Sequence, residues 1–200
     1  MKAWAGKLYL SLDAQARLKV TDVYSLHRVL LDLVDGERSA QPGMPSGLQW
    51  VDRGQTIYGR RVDFLTTLPV PAVCPAEDLS LEIKELPQDF LDHQSYRFQI
   101  LVNPVRCVQE KRVAVTGEEN ISAWFTQRAA DRGMQVFISS IDKVGRDVFR
   151  KKEHRVVYNR ARITGTLNVT DKELFQKAFL TGIGKGRAFG FGFLQLSVIR

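Results

Sequence analysis

Apolar and polar residues alternate in KLYLSLDA (Lys7–Ala14), where Leu8, Leu10 and Leu12 share one side and Tyr9 and Ser11 the other. That period of two predicts a half-buried strand. The period then changes. In TDVYSLHRVLLDLVDGE, the residues Val23, Leu26, Val29, Leu30, Leu33 and Val34 recur at helical spacing, with Thr21 or Asp22 as cap and Gly36 as stop. GLQWVDRG and IYGRRVDFLTTL predict two further strands. Pro69, Pro71 and Pro75 punctuate a loop, and LSLEIKEL alternates as another strand. The first half therefore runs β-α-β-β, a loop or short helix, then β.

The second half repeats that order. SYRFQILVNPVRCV predicts a long strand interrupted at Asn103-Pro104. TGEENISAWFTQRAADRG predicts a helix with Thr116 and Glu119 as a capping box and Gly133 at its end. MQVFISSI and the longer RVVYNRARITGTLNV follow as strands. TDKELFQKAFLTG predicts a second helix, boxed by Thr170 and Glu173 and ended by Gly182, and FGFLQLSVI closes the chain as a strand. Two β-α-β-β-α-β units fit the length of 200 residues. The expected fold class is α+β: two tandem ferredoxin-like (RRM-like) domains, 1–90 and 91–200, with a boundary near 87–94. No residue-level repeat links the halves; only the order of elements recurs.

Charge adds a direction. The net charge is +7, with 44% hydrophobic and 26% charged residues, the balance of a globular protein with an affinity for polyanions. The positive charge is concentrated. Lys143–Arg162 holds eight Lys or Arg and two acids. Its tip, RKKEHR, predicts a β-hairpin that presents Arg146, Arg150, Lys151, Lys152, Arg155 and Arg160 to a phosphate backbone. The competing reading is a solvated hairpin edge. Cys74 and Cys107 form no C-x-x-C pair, and His27, His93 and His154 lie far apart, so neither a metal site nor a cofactor is expected. No stretch has the length of a signal peptide or membrane span, so a cytoplasmic protein with no membrane partner is expected.

Two features carry candidate chemistry. Tyr24 and His27 lie about 60° apart on the margin of the first helix's apolar face, and as i and i+3 residues their side chains are neighbours. One reading makes them boundary residues of the core. The other makes them a proton-transfer pair for RNA, whose ribose 2′-hydroxyl is its own nucleophile. A histidine can then move protons near neutral pH. The tyrosine can orient the hydroxyl, and a lysine such as Lys152 can neutralise the developing charge. The second feature is TGIGKGRAFGFGFLQL, with five glycines between Gly182 and Gly192. It matches neither G-x-G-x-x-G nor G-x-x-x-x-G-K-[ST], and it follows a helix where a nucleotide loop would open one. This argues against a nucleotide-binding enzyme. A helix C-cap with close packing, or backbone contact with RNA through Lys185 and Arg187, are both open.

The motif GIGKGRAFGFGFLQL resembles the glycine-rich signature of the RAMP-type CRISPR RNA-processing proteins, and is most similar to the CasE family of subtype I-E. VYSLHRVL, LVNPVRCVQEKRVAVTGEENISAWFTQRAADRG and VVYNRARITGTLNVTDKELFQKAFLTGIGKGRAFGFGFLQL resemble successive parts of that family; roughly residues 35–90 match weakly. MKAWAG precedes the place where the family usually begins. The resemblance implies tandem ferredoxin-like domains and metal-independent cleavage of CRISPR repeat hairpins in precursor RNA. The products would be a 2′,3′-cyclic phosphate and a 5′-hydroxyl. It implies His27 as the acid–base residue with Tyr24 as its partner, a basic hairpin that grips the RNA stem, and assembly with other Cascade subunits. A non-catalytic RNA-binding RAMP subunit is the alternative.

Overall fold

The computed structural model describes residues 2–34, 47–68, 70, 78–151 and 154–199; within these, the side chains of residues 143, 149–151, 154 and 155 are not described. The chain divides into two compact units, Met1–Gln88 with Ala188–Gly190, and Asp89–Arg187 with Phe191–Arg200.

In the first unit, β1 (Trp4–Leu10), β2 (Leu48–Thr56), β3 (Gly59–Thr66) and β4 (Leu79–Glu85) form an antiparallel sheet in the order β2-β3-β1-β4. Read by strand of the unit this is 4-1-3-2, the ferredoxin-like arrangement. The expected first strand is displaced. It begins at Trp4 and ends at Leu10, because the Ser11 hydroxyl accepts the Ala14 N–H at 3.0 Å and caps a short helix, α1 (Leu12–Arg17). Leu12, expected on the strand's apolar side, is 71% exposed. Trp4 to Gly6 are thus part of the sheet. Gly6 pairs with Phe64, whose ring fills the space a side chain would take: a Cβ on Gly6 would lie 2.3 Å from Cζ of Phe64. The strands β2 and β3 meet in a tight turn at Ile57 and Tyr58, residues expected inside the second strand and instead strongly exposed. The long helix α2 (Val23–Val34) turns Leu26 and Leu30 into a core shared with Leu8, Leu10, Trp50 and Phe64. The stop at Gly36 and the prolines 69, 71 and 75 lie outside the described residues.

In the second unit, β5 (Ser95–Val102), β8 (Met134–Lys151), β9 (His154–Val169) and β10 (Gln195–Val198) pair in the order β10-β5-β9-β8, again 4-1-3-2. The helices α3 (Glu118–Ala130) and α4 (Lys172–Thr181) supply Phe125 and Phe175 to a core with Phe98, Ile100, Ile163 and Leu167. The α+β tandem ferredoxin-like fold is present. The long strand expected through Val108 breaks at Asn103-Pro104 into a separate hairpin, β6 (Val105–Val108) and β7 (Lys111–Ala114). Proline lacks the N–H a ladder needs. Asn103 is buried, and its side-chain oxygen accepts the backbone N–H of Asn159 at 3.0 Å where the ladder stops. The final strand is also shorter than expected: Phe191–Leu194 precede it without strand pairing.

Neither expected capping box forms. Gly117 is the N-cap of α3, with no side-chain hydrogen bond, and Asp171 rather than Thr170 caps α4, its carboxylate accepting the Leu174 N–H at 3.0 Å. At both helices the cap lies one residue after the expected threonine. Asp171→Ala is expected to cost about 1 kcal/mol of stability, and Thr170→Ala to stay within about 0.5 kcal/mol. Thermal unfolding of the two variants checks this order.

Candidate functional site

The helix α2 begins with a reciprocal cap. Asp22 accepts the Ser25 N–H at 2.8 Å, and the Ser25 hydroxyl oxygen accepts the Thr21 and Asp22 N–H groups at 3.0 Å each. Ser25 is buried, so the first turn is fixed in place. From it project Tyr24 and His27, both half-buried at the margin of the apolar face. The His27 ring lies nearly parallel to Trp50, 14° between planes and 6.3 Å between centroids. Phe189 completes the group, 6.4 Å from Tyr24 and 6.3 Å from His27. These separations lie within the range of aromatic contact. The imidazole therefore has two aromatic neighbours, and Phe189 is a neighbour of the Tyr24 phenol as well.

Phe189 reaches this position from the far end of the sequence, as the last residue of a short 3-10 turn, Arg187–Phe189. The residue after it, Gly190, has φ of +82°, and a Cβ there would stand 3.1 Å from Cζ3 of Trp50. Only glycine combines that backbone with that approach. The sequence pattern did not reveal that Trp50 and Phe189 flank the Tyr24–His27 pair. The available signal was an aromatic residue set between glycines in RAFGFG, which packing against an aromatic partner would explain.

The rest of the glycine stretch is a helix cap and a closed loop. Gly182 ends α4, its N–H bonded to the Ala178 carbonyl at 2.8 Å. Ile183 N–H meets the Gly192 carbonyl at 2.9 Å, and Gly192 N–H meets that of Leu101 at 2.7 Å. Arg187 donates to the Thr181 carbonyl at 2.6 Å and so caps the last turn of α4, whereas Lys185 is exposed.

In the basic segment, β8 and β9 run on past the sheet as a two-stranded ribbon, from Gly145 paired with Arg160 to Lys151 paired with His154. Two of its cations are neutralised. Arg160 bonds Asp147 at 2.8 Å, and Arg162 grips Asp142 with two bonds of 2.7 and 3.0 Å. Arg146 is exposed and has no acidic partner among the described residues. Val148 and Val157 oppose each other, both about half exposed. Tyr158 packs on Phe191, 5.5 Å between centroids. Burial pushes its phenol up, while the Arg112 guanidinium pulls it the other way. Register sets Arg150 opposite Arg155. Their side chains and that of Lys151 are not described, and Lys152 lies outside the described residues, so the structure places neither Lys152 nor the hairpin tip.

Among the described residues, no three His, Cys, Asp or Glu side chains gather as a metal ligand set. Among them, too, no helix is long and apolar enough to cross a membrane.

The approach of Gly190 to Trp50 has a measurable cost when blocked. Gly190→Ala is expected to destabilise the protein by about 1–3 kcal/mol through its left-handed backbone and the indole contact. Gly184→Ala, at φ of +92° but with open space around it, should cost less. Comparing the thermal midpoints of the two variants isolates the contact.

None of the curated proteins matches the chain in sequence. Solved structures share its fold. The CRISPR endoribonuclease Cse3 bound to a 19-nucleotide RNA aligns with a TM-score of 0.80 at 22% identity, covering 98% of this chain and 100% of that one. The CRISPR-associated protein Cas6e from Escherichia coli K-12 aligns at 0.72 with 17% identity, over 98% of this chain and 100% of that one. A chain of a CRISPR RNA-guided surveillance complex in its pre-nicking state aligns at 0.69 with 21% identity and the same coverage. The sequence model of the CRISPR-associated proteins matches residues 4–197. With nearly its whole length matched, the chain belongs to the family of CRISPR-associated proteins.

Proposed function

We propose that this protein is a metal-independent endoribonuclease that cleaves CRISPR repeat hairpins in precursor RNA to give mature guide RNAs. The observation that carries this reading is the half-buried His27, held against Trp50 and Phe189 with Tyr24 alongside. A bland margin histidine needs no such setting; an acid–base group benefits from a fixed ring with a limited choice of orientations. The solved structures of the same fold, among them one described as an endoribonuclease with RNA bound, support the assignment.

In this mechanism the ribose 2′-oxygen attacks the adjacent phosphorus and the bond from phosphorus to the 5′-oxygen breaks. His27 moves the protons, taking one from the 2′-hydroxyl or supplying one to the leaving oxygen, and the products are a 2′,3′-cyclic phosphate and a 5′-hydroxyl. The Tyr24 phenol orients the hydroxyl or the phosphoryl oxygens. Lys152 is proposed to stabilise the charge that builds on phosphorus oxygens.

The ribbon would hold the RNA. The register puts Arg150 and Arg155 at one level of the ribbon, so a phosphate there would meet two cations. Arg146, Lys151, Lys152 and Lys185 extend the same function. Arg160 and Arg187 contribute after their protein partners, Asp147 and the α4 carboxyl end, have fixed their positions. The A-form major groove is narrow, so the ribbon would grip a short stem near its end. The protein would act in the cytoplasm, where precursor RNA is made, and would stay with its product among the other subunits of a Cascade surveillance complex, the setting of one solved structure of this fold.

Single-turnover cleavage tests the assignment. His27→Ala should slow cleavage of a repeat hairpin by roughly 100-fold or more, and Tyr24→Phe by less, since its ring still packs. Both should bind uncleaved RNA as wild type does. Cleavage should persist in excess EDTA and stop when the scissile nucleotide is 2′-deoxy. A folded wild type that binds the hairpin without cleaving it would be a binding subunit instead.

Changing Arg150, Lys151 and Lys152 together to Ala should weaken binding and flatten its salt dependence, by roughly 0.7–0.9 in slope for each phosphate that is no longer neutralised. An unchanged slope in a salt titration would assign this charge to solubility.

A further inference from the structure

The hairpin β6–β7 is an element that sequence pattern did not anticipate, and it is not needed to complete the ferredoxin-like sheet. Its turn is unusual. Gln109 and Glu110 both carry positive φ, +46° and +63°, where two-residue hairpins normally place Asn or Gly. Such backbone cost is often retained where a loop serves a function. The hairpin is exposed along most of its length and carries Arg106, Lys111 and Arg112, with Val108 and Val113 about two-fifths exposed among them. Interleaved cations and apolar groups suit a nucleic-acid strand better than they suit water.

Between this hairpin and α3 lies a cavity of about 370 Å³, lined by Arg106, Thr116, Asn120 and Trp124 with small apolar residues. Its size falls at the lower end of ligand sites, which span about 300–1,000 Å³, and accommodates one nucleobase with its sugar. The walls are prearranged. Trp124 donates its indole N–H to the Val105 carbonyl at 3.1 Å, and the Arg128 guanidinium lies 4.8 Å from the ring centroid. Both contacts hold the indole in position. Asn120 donates its amide to the Thr116 carbonyl at 2.9 Å, while its own side-chain oxygen has no partner among the described residues. Arg106 is exposed, without an acidic partner among them.

We propose that this cavity is a binding site for one unpaired nucleotide of the RNA, adjacent to the stem that the ribbon holds. The inference rests on the RNA reading given above. The base lies against the Trp124 indole and offers an exocyclic amine to the free Asn120 oxygen. The phosphate meets Arg106. Stacking on an aromatic wall with a nearby guanidinium is how single strands are held with little sequence demand.

The test uses the full chain and three uncleavable repeat hairpins carrying a 2′-deoxy scissile nucleotide: one blunt, one with a short single-stranded 5′ extension and one with a 3′ extension. Wild type should bind at least one extended RNA roughly tenfold more tightly than the blunt one, the effect of one stacked base. Arg106→Ala and Asn120→Ala, both at exposed positions that leave the core intact, should each remove most of that advantage while binding the blunt hairpin as wild type does. Trp124→Phe, which keeps an aromatic wall, should lose less than either. If both variants keep the full advantage, or if wild type gains nothing from either extension, the cavity is not a nucleotide site, although the stem reading stands. If wild type binds none of the RNAs, the RNA reading fails and this inference with it.

Discussion

The bare α-carbon of Gly190 against the Trp50 ring sets the candidate site. Trp50 is almost wholly buried on β2 and forms part of the first unit's core. Because Gly190 lacks a Cβ and holds φ of +82°, the chain can pass over the indole at van der Waals distance. That approach delivers Phe189 to Tyr24 and His27. A methyl group at this position would stand 3.1 Å from Cζ3 of Trp50, on a backbone that side chains rarely adopt. The glycine-rich motif is therefore a structural device whose consequence is a defined imidazole.

Charge follows a similar logic of fixed and free groups. A count of eight cations in Lys143–Arg162 overstates what the ribbon offers, since Arg160 and Arg162 are each held by an aspartate across the strands. Those pairs are partly exposed, so their net contribution to stability is small; their effect is to aim the guanidinium groups. Elsewhere arginines are fixed by helix ends. Arg187 caps α4, and Arg132 donates to the Arg128 carbonyl near the end of α3, where burial and the neighbouring Arg128 and Arg187 hold its guanidinium below the usual arginine range. The cations that remain are still concentrated on one segment, which is what an anionic polymer requires of its partner.

Alternation and helical spacing along the chain determined both ferredoxin-like units, because a sheet with one covered face must alternate and a helix that covers it must repeat every three to four residues. They also placed Tyr24 and His27 side by side, since that depends only on helix geometry. They did not locate ends. Ser11, Gly117 and Asp171 decided where α1, α3 and α4 begin, through hydrogen bonds and backbone angles that neighbouring Thr and Asp residues compete for. The interruption expected at Asn103-Pro104 is where the strand ends, but the separate hairpin beyond it was not legible, because a missing N–H matters only once a partner strand is there to need it. Contacts between residues far apart in the chain were set by tertiary structure alone. Phe189 reaching His27 and Gly190 clearing Trp50 depend on where the folded chain returns in space, which no local period encodes.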